Sequence, residues 1–94
     1  MNVQIQSVKF DASKKLIEFI EKKLAKLDRV ASDATGIDVV LKLEKNDEQG
    51  NKIAVITLRV PGGDMRAESQ ARTFEEAVDN AIDAIKRQIE KRKE

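Results

Sequence analysis

The chain has 94 residues, 40% hydrophobic and 37% charged, with a formal net charge of +1. It contains no Cys and no His, which excludes disulfides, thiolate zinc sites and cysteine nucleophiles, and removes the usual general base. Three Phe without Trp or Tyr imply an aliphatic core, and they leave no array of rings on which bases could stack.

This length is expected to form one domain, residues 1–94, around a single core. No apolar run reaches the ~18 residues of a membrane span, and no signal-peptide pattern opens the chain. A cytoplasmic location without a membrane partner is therefore expected.

Residues 1–10 read as a strand. Val3 and Ile5 alternate with Asn2, Gln4 and Gln6, the period-2 pattern of a half-buried strand. The phase changes near Ser7, where Val8 and Phe10 become the apolar positions, so a bulge or strand end is expected at Gln6–Ser7. Asp11 or Ser13 can then cap a helix over 14–29. Leu16, Ile17, Ile20, Leu24 and Leu27 share one face of it, while Lys22, Lys26 and Arg29 all fall within about 40° of Lys15 on another side. Glu18 can pair with Lys22 at the favourable i,i+4 spacing, which leaves Lys23, Lys26 and Arg29 without a local acidic partner.

A short polar connection leads to the clearest strand, 37–45, with Ile37, Val39, Leu41 and Leu43 on its apolar phase. Residues 46–51 (NDEQGN) read as a hairpin loop in which Gly50 supplies positive φ. Residues 52–60 form the next strand, with Ala54, Ile56, Leu58 and Val60 in one phase. Pro61–Gly62–Gly63 turns the chain into a weaker strand over 64–71. That turn is not a phosphate loop, because no Lys-Ser/Thr follows and no helix begins there.

Residues 74–93 read as a long amphipathic helix. Phe74, Val78, Ala81, Ile82, Ile85 and Ile89 make a stripe about 100° wide. Thr73 with Glu76 fits a capping box. Glu75, Glu76, Asp79 and Asp83 occupy the first half, and Lys86, Arg87, Lys91, Arg92 and Lys93 crowd the end. Helix-dipole complementarity alone accounts for two or three such bases. The order β-α-β-β-β-α implies an α+β fold: a four-stranded, mostly antiparallel sheet with two helices packed on one face.

The weak net charge conceals an uneven distribution. Residues 14–29 carry six bases against three acids, and residues 86–94 carry five against two, so each segment is locally +3. If the helices lie side by side, these bases form one positive surface suited to phosphate backbone, with structured RNA as its natural target. Catalysis is poorly served. The densest carboxylates lie on one helix surface, whereas glycosidase-type chemistry needs two facing each other across a cleft. Asp79 and Asp83 lack further ligands for a hard cation. No enzyme activity, metal, cofactor or small-molecule substrate is expected.

The pieces VQIQSV, FIEKKLAKLDR, VVLKLEK, TLRVPGGDMRAES and AVDNAIDAIKRQIEKRK, in this order and spacing, resemble the short ribosome hibernation-promoting factors and ribosome-associated inhibitors of bacteria. The resemblance covers nearly the whole chain and implies the same β-α-β-β-β-α fold. It implies a protein, monomeric when free, that binds the small ribosomal subunit in the messenger and transfer RNA channel and silences translation in resting cells. Lys23, Lys26, Arg87, Lys91 and Lys93 fall where the family has basic residues, and the resemblance implies that they contact rRNA phosphates. Gln88 matches beside them. Lys22, Arg29, Lys86 and Arg92 join the set on charge geometry alone. Glu75 and Glu76 replace an aromatic and a small residue of the family pattern, and Ala84 replaces a lysine. The sequence stops at Glu94, from which no additional dimerisation domain is expected.

Two other readings compete. A generic double-stranded-RNA-binding module also sets two helices on a sheet, but lacks a strand before its first helix. A protein-interaction module would use the outer sheet face, where Val40 and Val55, with Ile53 near the edge, are the apolar residues.

Overall fold

A computed structural model describes residues 1–45 and 50–93, with Lys93 described for its backbone only. The elements follow the expected order: β1 (Asn2–Ser7), α1 (Lys14–Val30), β2 (Gly36–Leu43), β3 (Lys52–Arg59), β4 (Met65–Ala71) and α2 (Phe74–Lys93). The sheet runs β1-β2-β3-β4, with β1 parallel to β2 and the other two pairings antiparallel. This is the α+β architecture read from the sequence. Residues 46–49 of the expected hairpin loop lie outside the described residues.

Local chemistry explains the boundaries. The phase change in the first segment is a strand end: pairing stops at Ser7, and Lys9 adopts φ 65. The Ser13 Oγ accepts the Leu16 N–H at 3.1 Å and starts α1, so Ser13 rather than Asp11 is its cap. Thr73 Oγ1 accepts the Glu76 N–H at 3.1 Å and starts α2, the forward half of the expected capping box. Gly50 at φ 89 and Gly62 at φ 90 take the left-handed conformations that the two β-turn regions demand.

The core lies between the sheet and the helices. Leu16, Ile20, Leu24 and Leu27 of α1 and Phe74, Val78, Ala81, Ile82, Ile85 and Ile89 of α2 are all buried there. They meet Ile37, Val39 and Leu41 of β2 and Ala54, Ile56 and Leu58 of β3. Each large aliphatic group removed from water contributes about 1.5–3 kcal/mol. Ile17, placed on the α1 core face by periodicity, is only half-buried, and Leu43 on β2 is 48% exposed.

The outer sheet face departs from expectation. Ile53 and Val55 are 4% and 8% exposed, although no helix covers that side. On the neighbouring strands their register partners are Lys42, Gln70, Val40 and Glu68. Strand β3 is thus flanked on both sides, and these two apolar residues lie low between their neighbours. Asp38 and Arg59 form an ion pair on the same face, and the pairing raises the Arg59 pKa above its ordinary value. Among the described residues no helix is long and apolar enough to cross a membrane, and no group of three or more acids could hold a metal.

Candidate nucleic-acid interface

Three contacts along the helix pair fix their relative direction. Phe10, just before α1, stacks on Phe74, the first residue of α2, with centroids 5.0 Å apart and rings 11° from parallel. Further along, Lys23 Nζ lies 3.1 Å from Asp79 Oδ1. At the far end, Val30 shares a small cleft with Lys86, Ile89 and Glu90. Contacts in this ascending order mean that α1 and α2 run parallel. Their C-terminal ends therefore lie at the same end of the molecule.

The segregation of charge along α2 then gains the late bases of α1 at one end of the helix layer, while Lys14 and Lys15 stand at the other end. Lys26 and Arg29 on α1 lie at the same end as Lys86, Arg87 and Lys91 on α2. Acids Glu75, Glu76 and Asp79 lie toward the opposite end. Each carbonyl-rich helix end also favours the bases beside it. On the α1 wheel, Lys15, Lys22, Lys26 and Arg29 centre about 140–180° from the buried stripe, so they point to solvent. All four are exposed. On α2, Arg87 points outward, Lys86 leans toward α1, and Lys91 turns toward the β4 side by about 40° from Arg87.

Among the described residues, Lys22, Lys26, Arg29, Lys86, Arg87 and Lys91 take part in no ion pair within 4.0 Å; the described pairs are Lys23–Asp79, Arg59–Asp38 and Arg66–Glu68. The expected Glu18–Lys22 pair is not among them.

Two of the expected positions have partners within the chain. Lys23 is not an open cation. Its ammonium sits between Asp79 and the Phe19 ring, 5.4 Å from the ring centroid. The acid lies on the neighbouring helix, beyond any pairing rule within α1. Arg92 turns away from the basic face, and its guanidinium donates to the Pro61 carbonyl in the Pro-Gly-Gly turn. The Lys93 side chain lies outside the described residues.

The sequence pattern described as sigma 54 modulation protein / S30EA ribosomal protein matches residues 3–94. The chain belongs to this family. A ribosome hibernation promoting factor of Escherichia coli (strain K12) is 31% identical over 94 residues, all of this chain and 95% of that protein. A ribosome hibernation promotion factor of Deinococcus radiodurans is 34% identical over 90 residues, 94% of this chain. The chain spans about half, 47%, of that relative's length.

Solved structures of similar shape include a ribosomal subunit interface protein from Coxiella burnetii, with a TM-score of 0.88 and 24% identity over 99% of this chain and 98% of that one. The Thermus thermophilus Protein Y N-terminal domain superposes with a TM-score of 0.80 and 28% identity, covering 97% of this chain and 98% of that one.

Gln88, beside the basic positions of α2, has a structural partner. Gln88 Nε2 donates to the Arg66 carbonyl at 3.0 Å, joining α2 to β4. Gln88 is therefore held against the sheet, while Arg87 beside it projects to solvent. Periodicity puts Gln88 on the helix flank facing β4, but which backbone group it reaches depends on tertiary structure.

Proposed function

We propose that the chain is a ribosome hibernation factor that binds the small ribosomal subunit in the messenger and transfer RNA channel. The contact is made by the bases at the C-terminal end of the helix layer, and it blocks translation in resting cells. The observation that carries this reading is the parallel packing of α1 and α2, which collects Lys26, Arg29, Lys86, Arg87 and Lys91 at one end of one layer. Membership of a family whose relatives are named ribosome hibernation factors supports it.

The chemistry suits rRNA more than a free small ligand. Lysine and arginine side chains spread over two helices meet phosphates at several points, and binding releases the counterions condensed there. With about four to five phosphates engaged, log K falls with log salt at a slope on the order of −3 to −4. No ring array reads bases, so the contact follows backbone shape. Lys22 and Lys93 extend this set; Lys23 joins only on release from Asp79, and Arg92 only through donors not used at Pro61. The surface works as a single ribosome-binding domain, residues 1–94.

The test is co-sedimentation with small subunits across a salt series. The wild-type chain sediments with them at low salt and is released as salt rises. The Lys26→Glu/Arg29→Glu/Arg87→Glu/Lys91→Glu variant keeps its melting transition and stays in the supernatant. Normal sedimentation of that folded variant overturns the assignment of the surface. Tight binding to plain RNA duplex with no preference for subunits replaces the ribosomal reading with the generic duplex-binding one.

A further inference from the structure

The two edges of the sheet are treated differently. β4 carries the charged pair Arg66–Glu68, and its Arg66 carbonyl is taken by Gln88 of α2. Such features protect an edge from adding another strand. The other edge, β1, reads NVQIQS, with no charge and no proline.

The open groups on β1 can be named. The Asn2 N–H donates to the Thr35 carbonyl at 3.2 Å and the Val8 N–H to the Leu41 carbonyl at 2.9 Å, so the amides of even-numbered residues point toward β2. Alternation along the strand turns Val3, Ile5 and Ser7 the other way. Their N–H and C=O groups form a row along the free edge, and Val3 is 40% exposed.

The edge also has a wall. Glu21, Ala25 and Asp28 of α1 overhang it and, with Met1, Val3 and Leu24, enclose a groove of about 260 Å³. Neither Glu21 nor Asp28 takes part in an ion pair within 4.0 Å among the described residues. A strand laid against β1 would send every second side chain under this acidic flank.

We propose that the β1 edge is a docking site for an extended basic polypeptide segment, which adds to the sheet as a fifth strand. Main-chain hydrogen bonds to Val3, Ile5 and Ser7 hold the segment, and alternate lysine or arginine side chains meet Glu21 and Asp28. The site lies on the α1 flank away from α2, so it can be filled while the basic helix surface is engaged. It does not depend on the ribosomal reading.

The probe is a synthetic peptide of alternating lysine and valine, titrated into the 94-residue chain and followed by amide NMR. The expected result is shifts confined to β1 and the facing side of α1, with the Val3, Ile5 and Ser7 amides slowed in hydrogen exchange. A peptide of alternating glutamate and valine binds at least tenfold more weakly. Val3→Pro, at a position whose N–H faces away from β2, removes the edge donor and abolishes binding. Glu21→Lys/Asp28→Lys, on the exposed helix flank, leaves the strand intact and lowers affinity at least tenfold, which keeps the proposal testable should Val3→Pro unfold. Equal binding of the acidic peptide, shifts that map elsewhere, or a concentration-dependent dimer paired through β1 in place of peptide binding each overturns it.

Discussion

Lys23 on α1 and Asp79 on α2 are joined across the helix layer, 3.1 Å apart, at the boundary between its acidic and basic ends. The pair is partly exposed, with side chains 33% and 45% accessible, so its contribution to folding is at most about 1 kcal/mol. Its larger effect is electrostatic. Asp79 holds one ammonium of the proposed interface and places a negative charge beside it. Asp79→Asn is expected to lower stability by about 0.5 kcal/mol and to tighten subunit binding several-fold, as Lys23 is released toward phosphate. Urea melts and sedimentation titrations at one fixed salt concentration check the two signs together. Weaker binding by a variant of unchanged stability contradicts the role given to this pair.

The helix starts make a second prediction. Ser13 and Thr73 each accept one otherwise orphaned backbone N–H, from Leu16 and Glu76. Removing such a cap costs about 1 kcal/mol. Ser13→Ala and Thr73→Ala should each lower the unfolding free energy by that amount, read as a lower urea midpoint at unchanged slope. The two caps share no partner, so the double variant should lose close to the sum.

These caps were legible in the sequence because capping is local: the acceptor and its amide are three residues apart. The helix and strand order was legible for the same reason. Apolar spacing in α2 changes only with the helix period, and all six residues read from its stripe are buried. What escaped was set across elements. Ile53 and Val55 lie on the outer sheet face, yet both are buried on the central strand between β2 and β4. Asp79 lies 56 positions after Lys23, and no i,i+4 rule reaches it. Arg92 belongs to the basic run by composition, but a turn carbonyl 31 residues earlier lies within its reach. The bases of the candidate interface were therefore found as residue types, while their freedom and direction came from packing.

The glycines of the two turn regions separate steric from conformational constraint. A Cβ at Gly50, already at φ 89, would collide with the Ala71 carbonyl group and the Arg72 nitrogen. Gly63 is at φ 137 with open space around a Cβ. Gly63→Ala should cost about 1–2 kcal/mol, the penalty of the backbone region alone. Gly50→Ala must also push the end of β4 aside and should cost more than Gly63→Ala by at least about 1 kcal/mol. Paired urea melts test the order; equal losses would mean that the Ala71 backbone gives way at no cost.

Lys9 is the non-glycine residue at positive φ, 65, among the described residues. It stands between the end of β1 and Phe10, whose ring stacks on Phe74. The left-handed step turns the chain out of the sheet and brings Phe10 to the start of α2, so the strain serves the packing of both helices. For an L residue that conformation costs roughly 1–2 kcal/mol. A β-branched side chain suffers most there. Lys9→Val is therefore expected to destabilise by about 1–2 kcal/mol. Lys9→Gly should be close to neutral, because relief of strain offsets the added freedom of the unfolded chain. If Lys9→Gly instead costs as much as Lys9→Val in a urea melt, the side chain rather than the backbone conformation holds this corner.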